Sequence, residues 1–106
     1  MNIVQQGSLL HLSGIDQTVL VLSREFFNRT GMLIVCPVRK NTRKAALNIP
    51  ITTENFTGFA MLDQMRGIDI RARHYSTLGE IPFEQIQNIS DAVQDIFDYY
   101  PFSALS

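Results

Sequence analysis

Within six positions the chain carries four cations, Arg39, Lys40, Arg43 and Lys44, and no acid. Side chains of this kind at this spacing hold phosphate oxygens, arginine through a planar fork of donors and lysine as a point charge. A carboxylate and an amide follow at Asp63 and Gln64, and a second cationic stretch at Arg71, Arg73 and His74. If residues 71–73 are extended, Arg71 and Arg73 point to one face and can bind consecutive phosphates. An imidazole beside cations, as His74 is beside Arg73, is suited to accept a proton at neutral pH. Each group also has a plainer reading. Asp63 at the end of an apolar run can cap a turn or pair with Arg66, and Arg71 and Arg73 can form a solvated strand face. His11 stands among leucines, where a hydrogen-bonded, half-buried histidine is commoner than a catalyst. Outside the expected core, Phe56, Phe59 and Tyr75 could stack on unpaired bases. Phe56, in an expected loop after Glu54-Asn55, is the best placed of them, with folding back onto the core as its alternative.

Composition limits the scaffold that must position these groups. At 106 residues the chain is one domain, and 45% apolar with 18% charged residues is a globular balance rather than a disordered one. No apolar run approaches the roughly 18 residues of a membrane helix. The opening Met1-Asn2-Ile3-Val4-Gln5-Gln6 lacks the basic region of a signal peptide, so a cytoplasmic protein is expected. The single cysteine, Cys36, excludes an intrachain disulfide and a cysteine zinc cluster, so packing must supply the stability. In its apolar run Cys36 is a small hydrophobe. A net charge of −1 argues against a nucleic-acid binder only if averaged over the chain. All nine basic residues lie between Arg24 and Arg73, whereas Glu80 onward has five acids and no lysine or arginine. A basic patch joined to an acidic element suits phosphate on one side and a different contact on the other.

Two short apolar runs, residues 8–13 and 18–23, separated by Gly14-Ile-Asp-Gln17, predict a hairpin. Ser23 as a cap followed by Glu25 and two phenylalanines predicts one helical turn over 24–28, closed by Gly31. Residues 32–38 are near-continuously apolar and branched, which predicts a central strand that leaves the sheet interior at Pro37. Residues 46–52 alternate, but Pro50 confines them to an edge. Further strands are expected at 58–62, 68–70 and 76–78. From Pro82 the period becomes helical through Ile86, Ile89, Val93, Ile96, Phe97 and Tyr100, and Pro101 stops it. Strands followed by one closing helix give an α+β domain with a small, strongly bent sheet.

Three stretches in order resemble the MazF/PemK family of toxin–antitoxin endoribonucleases. The run Val19-Leu-Val-Leu-Ser-Arg-Glu-Phe-Phe-Asn-Arg-Thr-Gly-Met-Leu-Ile-Val-Cys-Pro-Val38 is similar to the family's strand, short helix and core strand. Gly58-Phe-Ala-Met-Leu-Asp-Gln-Met-Arg-Gly-Ile-Asp-Ile-Arg-Ala-Arg73 resembles its Asp-Gln to Arg-Ala-Arg segment, and Leu78-Gly-Glu-Ile-Pro82 its last strand and helix start. The resemblance implies a curved antiparallel sheet like an SH3 barrel with a C-terminal amphipathic helix. It implies a homodimeric toxin that cleaves single-stranded mRNA without metal or other cofactor. Its implied partners are an antitoxin with an acidic MazE/PemI-like segment and, through the toxin–antitoxin complex, operator DNA. On this reading Arg39, Asp63, Gln17 and His74 are the catalytic candidates. The RNA-binding candidates are Lys40, Arg43, Lys44, Phe56, Gln64, Arg71 and Arg73.

Two departures bear on the chemistry. The family's first loop is long, glycine-rich and ends in Arg-Pro, whereas this one is cut to Ser13-Gly-Ile-Asp-Gln17, with Gln17 and Thr18 at the arginine and proline positions. The family also places a threonine or serine after its Cys-Pro-hydrophobic triplet, and Arg39 stands there. Metal-free RNA cleavage needs a deprotonated 2′-hydroxyl, a neutralised phosphorane and a protonated leaving oxygen. Arg39 either keeps the charge count at the site, or the exchange marks a catalytically impaired module that binds an antitoxin and takes part in operon autoregulation. A gyrase poison, the activity of a relative of this fold, would require a tryptophan-bearing end, and the chain has no tryptophan.

Overall fold

In the computed structural model, which describes residues 3–40, 42–43 and 45–97, the sheet is assembled on one strand, β3 (Met32–Arg39). Its near-continuous apolar sequence leaves both faces seeking cover. Leu33 and Val35 enter one core cluster, while Cys36 and Val38 enter the other. β1 (Ser8–Leu12) and β2 (Gln17–Val21) form the expected hairpin, and β2 lies antiparallel along one edge of β3 with Val19 opposite Pro37 and Val21 opposite Val35. The other edge of β3 is shared. β6 (Arg66–Asp69) takes Met32 to Val35, and β5 (Phe56–Met61) takes Val38 and Arg39. Pro37 was expected to mark the exit from the sheet; it lies inside the strand instead, at the handover between β6 and β5. Neither of those strands lies opposite it there, so its missing N–H interrupts neither ladder.

β4 (Asn48–Thr53) has β5 as its one strand neighbour among the described residues and closes one end of the sheet, the edge position that Pro50 requires. β7 (Tyr75–Glu80) pairs with β1 and closes the other end, giving the order β4-β5-β3-β2-β1-β7 with β6 on β3. The sheet curls so that Leu10, Leu12, Val19, Val21, Leu33, Val35 and Ile68 fill its inner face. The outer cluster, with Leu9, Leu20, Cys36 and Ile51, is covered by α2 (Phe83–Phe97) through Ile86, Ile89, Ala92 and Val93. This is the α+β, curled antiparallel architecture expected. Gly7, at φ +90°, lets α2 come close, since a Cβ there would fall 2.6 Å from the Ile86 Cδ1. Ile96 and Phe97, at the helical spacing expected of core residues, remain exposed, and Tyr100 and Pro101 lie outside the described residues.

Three local expectations change. Residues 71–73 are not extended, because Ile70–Ala72 form a 3-10 turn, so no pleat aligns Arg71 with Arg73. Phe56 is not in a loop. It opens β5 after a two-residue turn at Glu54-Asn55, opposite Thr53. Ser23 does not cap α1 (Glu25–Asn28), whose N-cap is Arg24. Its hydroxyl instead accepts from the Ile34 N–H and donates to Asn28 Oδ1. Asn28, a buried polar side chain, also donates to the carbonyls of Val4 at 2.7 Å and Ser23 at 3.0 Å. It thereby ties the segment before β1, the start of α1 and β3 together.

Asn28→Ala removes three hydrogen bonds and leaves buried partners unsatisfied. Each orphaned group costs about 1–3 kcal/mol, so a loss of about 2–4 kcal/mol is expected. Urea unfolding should show a lower midpoint with an unchanged slope.

Candidate functional site

The short turn at residues 13–16, the start of β2 and the exit of β3 border one open groove of about 500 Å³. Asp16, Gln17, Thr18, Arg39, Lys40 and Phe56 line it. The β2–β3 register brings the start of β2 beside the exit of β3. Continued by two residues from Val19 opposite Pro37, it sets Gln17 across from Arg39.

Gln17 is held. Its Oε1 accepts a 2.7 Å hydrogen bond from Arg66, which stands opposite Val35 in β6. Arg66 was expected only as a partner for Asp63; it reaches across β3 to the groove wall instead. The signal for this was the alternation of faces along three neighbouring strands, which needs the pairing register and is not visible in one-dimensional spacing.

Phe56 folds back as its alternative reading foresaw, packing beside the outer core while still lining the groove. Its ring lies over Gly58, where a Cβ would come within 2.8 Å of both the ring and the Arg39 carbonyl oxygen. Above it Lys40 Nζ sits 5.4 Å from the ring centroid, a cation–π contact that holds the ammonium beside Arg39.

Asp16 occupies the left-handed region at φ +46°, and its 94% exposed carboxylate meets His11 Nε2 at 2.8 Å. Sequence reading assigned neither residue of this pair to the site.

The other described candidates lie apart from the groove lining. Asp63 and Gln64 are exposed on a 3-10 turn, Leu62–Gln64. Burial pushes the Cys36 thiol up to about 12; a hydrogen bond with the Met61 backbone opposes this and the Asp63 charge adds to it. Cys36 is thus the inert small hydrophobe expected. His74 is exposed, and its carbonyl accepts from the Ser13 N–H at 3.1 Å, which sets it at the foot of the groove turn. Arg71 is committed to Asp69 through two side-chain bonds of 3.0 Å, which hold that carboxyl below the usual aspartate range. Its guanidinium crosses Gly31, which at φ +91° has no Cβ to obstruct it. Arg73 is exposed, Arg43 is exposed with its carbonyl bound by Asn48, and Lys44 lies outside the described residues. Among the described residues no three His, Cys, Asp or Glu side chains gather as metal ligands, and no helix is long and apolar enough to cross a membrane.

Comparisons place this geometry among known proteins. Residues 11–97 match the family described as PemK-like, MazF-like toxin of type II toxin–antitoxin system. No curated protein sequence matches the chain. Among solved structures, the chain resembles MazE–MazF from Deinococcus radiodurans, with TM-score 0.80 and 22% identity over 92% of this chain and 98% of that one. It resembles an endoribonuclease from a mycobacterial species, with TM-score 0.79 and 16% identity over 95% and 98% of the two chains. A mycobacterial endoribonuclease in complex with its cognate antitoxin aligns at TM-score 0.77 and 16% identity, over 92% and 99%. At these identities the structures establish a shared fold.

The Phe56 platform rests on Gly58, so Gly58→Ala must displace either the ring or the Arg39 backbone. A loss of about 1–3 kcal/mol is expected, as for other overpacked sites. Gly14→Ala, whose Cβ would meet nothing within 4 Å, should stay within about 0.5 kcal/mol of the parent in the same thermal melts.

Proposed function

Because the chain belongs to the PemK-like, MazF-like toxins of type II toxin–antitoxin systems, we propose that it cleaves single-stranded RNA in the groove between the 13–16 turn, β2 and β3. One observation carries this reading: Gln17 and Arg39, the two positions that depart from the family pattern, line the same groove. An exchange that returns a cation to the same space suits retained phosphate chemistry.

In this reading the RNA phosphate lies against Arg39 and Lys40. Attack of the ribose 2′-oxygen on phosphorus builds a doubly charged phosphorane that collapses to a 2′,3′-cyclic phosphate as its bond to the 5′-oxygen breaks, and Arg39, exposed and without a salt bridge among the described residues, stabilises it with a forked pair of donors. Lys40, steadied over Phe56, binds the neighbouring phosphate as a point charge. His74, anchored at the foot of the turn, is assigned the proton transfer. Asp63, Gln64 and Arg73 serve the path of the RNA beyond the reacting phosphate, and Arg71 acts by fixing the loop after β6.

The working form is proposed to be a cytoplasmic homodimer. Its interface is proposed around β3 and α1, where Phe26 is 70% exposed and Met32 and Ile34 are half-buried. A groove of about 400 Å³ with Leu22, Ile34, Met65, Val93 and Phe97 on its walls shares Ile34 with that surface and offers a second copy further apolar area. The antitoxin's acidic segment is proposed to cover Arg39 and Lys40, and the complex to bind operator DNA.

Arg39→Ala should lower cleavage of a long unstructured RNA in chelator by about 10²–10³-fold, with a smaller loss of RNA affinity. Lys40→Ala should mainly weaken binding and flatten its salt dependence. Wild-type protein that cuts no RNA under these conditions while still binding an acidic antitoxin peptide would establish the binding module instead. In sedimentation at micromolar concentration the protein should run at twice the monomer mass, and Phe97→Glu should reduce it to the monomer.

A further inference from the structure

We propose that the outer edge of β7 takes up an extended segment of a protein partner as an additional strand, whose acidic continuation reaches Arg39 and Lys40. This rests on the reading that an acidic antitoxin covers those two cations. The two ends of the sheet differ in how their outward backbone groups are satisfied. At the β4 end, Asn48 donates its N–H to the Ala45 carbonyl at 3.1 Å, Pro50 has no N–H, and Thr52 donates to Gln85 Oε1 of α2 at 2.8 Å. Alternate residues of β4 point away from β5, so these three positions leave no N–H there for another strand. β7 has no such guard. The Ser13 N–H bonds to the His74 carbonyl and the Ile81 N–H to the Gly7 carbonyl, so His74 and Ile81 face β1. Alternation then turns the N–H and C=O of Tyr75 and Thr77 outward, and among the described residues neither has a partner there. Leu78 is the extra residue of a bulge opposite Leu9 and Leu10, which bends the strand, so the exposed stretch Tyr75–Thr77 sets the length of the addition.

The surroundings of this edge select the partner. Against Tyr75, Thr77 and Glu80 lies a pocket of about 250 Å³ whose other wall is Ile3, Val4 and Gln5. Every second side chain of an added strand falls on that face, so an apolar side chain of the partner seats there. The two ends of β7 also differ in charge. Arg73 and His74, both exposed, precede it, whereas Glu80 closes it. An antiparallel addition, the commoner pairing, ends beside Arg73 and His74, so acids that follow the partner's apolar stretch meet cations there. His74 is anchored on the 13–16 turn that borders the cationic groove. The acid on that turn, Asp16, is already engaged by His11. Arg39 lies four strand spacings from the added strand across β7, β1, β2 and β3, about 19 Å, which about six extended residues span. The surface thus fits a short apolar strand followed by an acidic run. A second copy of this chain fits it less well, since its own β7 carries one acid, Glu80, and nothing that extends to Arg39.

The test uses the full chain with a labelled synthetic peptide, Thr-Val-Thr-Val-Thr-Glu-Glu-Glu-Glu-Glu-Glu, and hexaglutamate alone as its comparison. By fluorescence anisotropy the long peptide should bind about tenfold or more tightly than hexaglutamate, the margin expected of a few added backbone hydrogen bonds and one seated side chain. Amide exchange followed by NMR should slow at Tyr75 and Thr77 on saturation and stay unchanged at Ser76, which alternation places toward β1. Thr77→Pro removes an outward N–H and spares the β1–β7 ladder, so its thermal melt should match wild type while the long peptide falls to the affinity of hexaglutamate. Thr77→Val, which keeps the N–H, should bind as wild type does. Lys40→Ala should weaken both peptides. Equal binding of the two peptides, or unchanged exchange at Tyr75 and Thr77, overturns the added strand while the acidic contact at the groove stands. Slowing at those amides with rising protein concentration and no peptide gives the edge to a second copy and also overturns it. Binding of neither peptide overturns the acidic partner and the added strand together.

Discussion

A strand buried on both faces has no solvent to turn to, so all its backbone groups must find partners at its two edges. β3 meets that demand with β2 on one side and, on the other, with two strands in succession, β6 along its first half and β5 at its end. The rest of the architecture follows from this division. β6 adds Ile68 to the cluster with Leu33 and Val35, while β5 and β4 add Ala60 and Ile51 to the cluster that α2 covers. The division falls at Pro37, the one residue of β3 that has no N–H to satisfy. Past that point β3 is paired with β5 only through Val38 and Arg39, and Arg39 reaches solvent at the end of a strand whose preceding residues are buried. A cation at the groove is thus a product of the same arrangement that buries the core.

Much of the fold was legible because it is written in short-range patterns. The hairpin, the central strand, the edge placement that Pro50 imposes and the closing helix all follow from periodicity and from residues with restricted backbones. What escaped was long-range or depended on a competing local bond. Ser23 has the composition of a helix cap, yet its hydroxyl is drawn to Ile34 and Asn28, partners 11 and 5 residues away. Arg71 and Arg73 alternate like strand residues, but the Asp69 side chain accepts the Arg71 N–H and favours a tight turn. Phe56 follows two turn-forming residues, and only the bare backbone of Gly58 on the same strand allows its ring to lie down.

The site was legible in its charge and not in its assembly. Arg39 and Lys40 stand out in any reading of the sequence, and Gln17 enters through its place in the family pattern. The chain gives no hint that Arg66, Gln17 and Arg39 share one face of three neighbouring strands, because a residue's face depends on register. His11 and Asp16 escaped for a related reason. Five residues apart, they meet only because the turn between them is short enough to bring the start of β2 back past the end of β1.

That short turn also has a kinetic meaning. A long glycine-rich loop over a binding groove must be ordered each time a ligand is seated and loosened each time one leaves, at about 1–2 kcal/mol for each residue fixed. Here the wall of the groove is a hairpin already clamped by its own strand pairs and by the His11–Asp16 contact. Nothing at that wall has to close. For the RNA site proposed here, that wall adds no lid-opening step of its own, and ligand capture there is set by diffusion and by attraction to the cations.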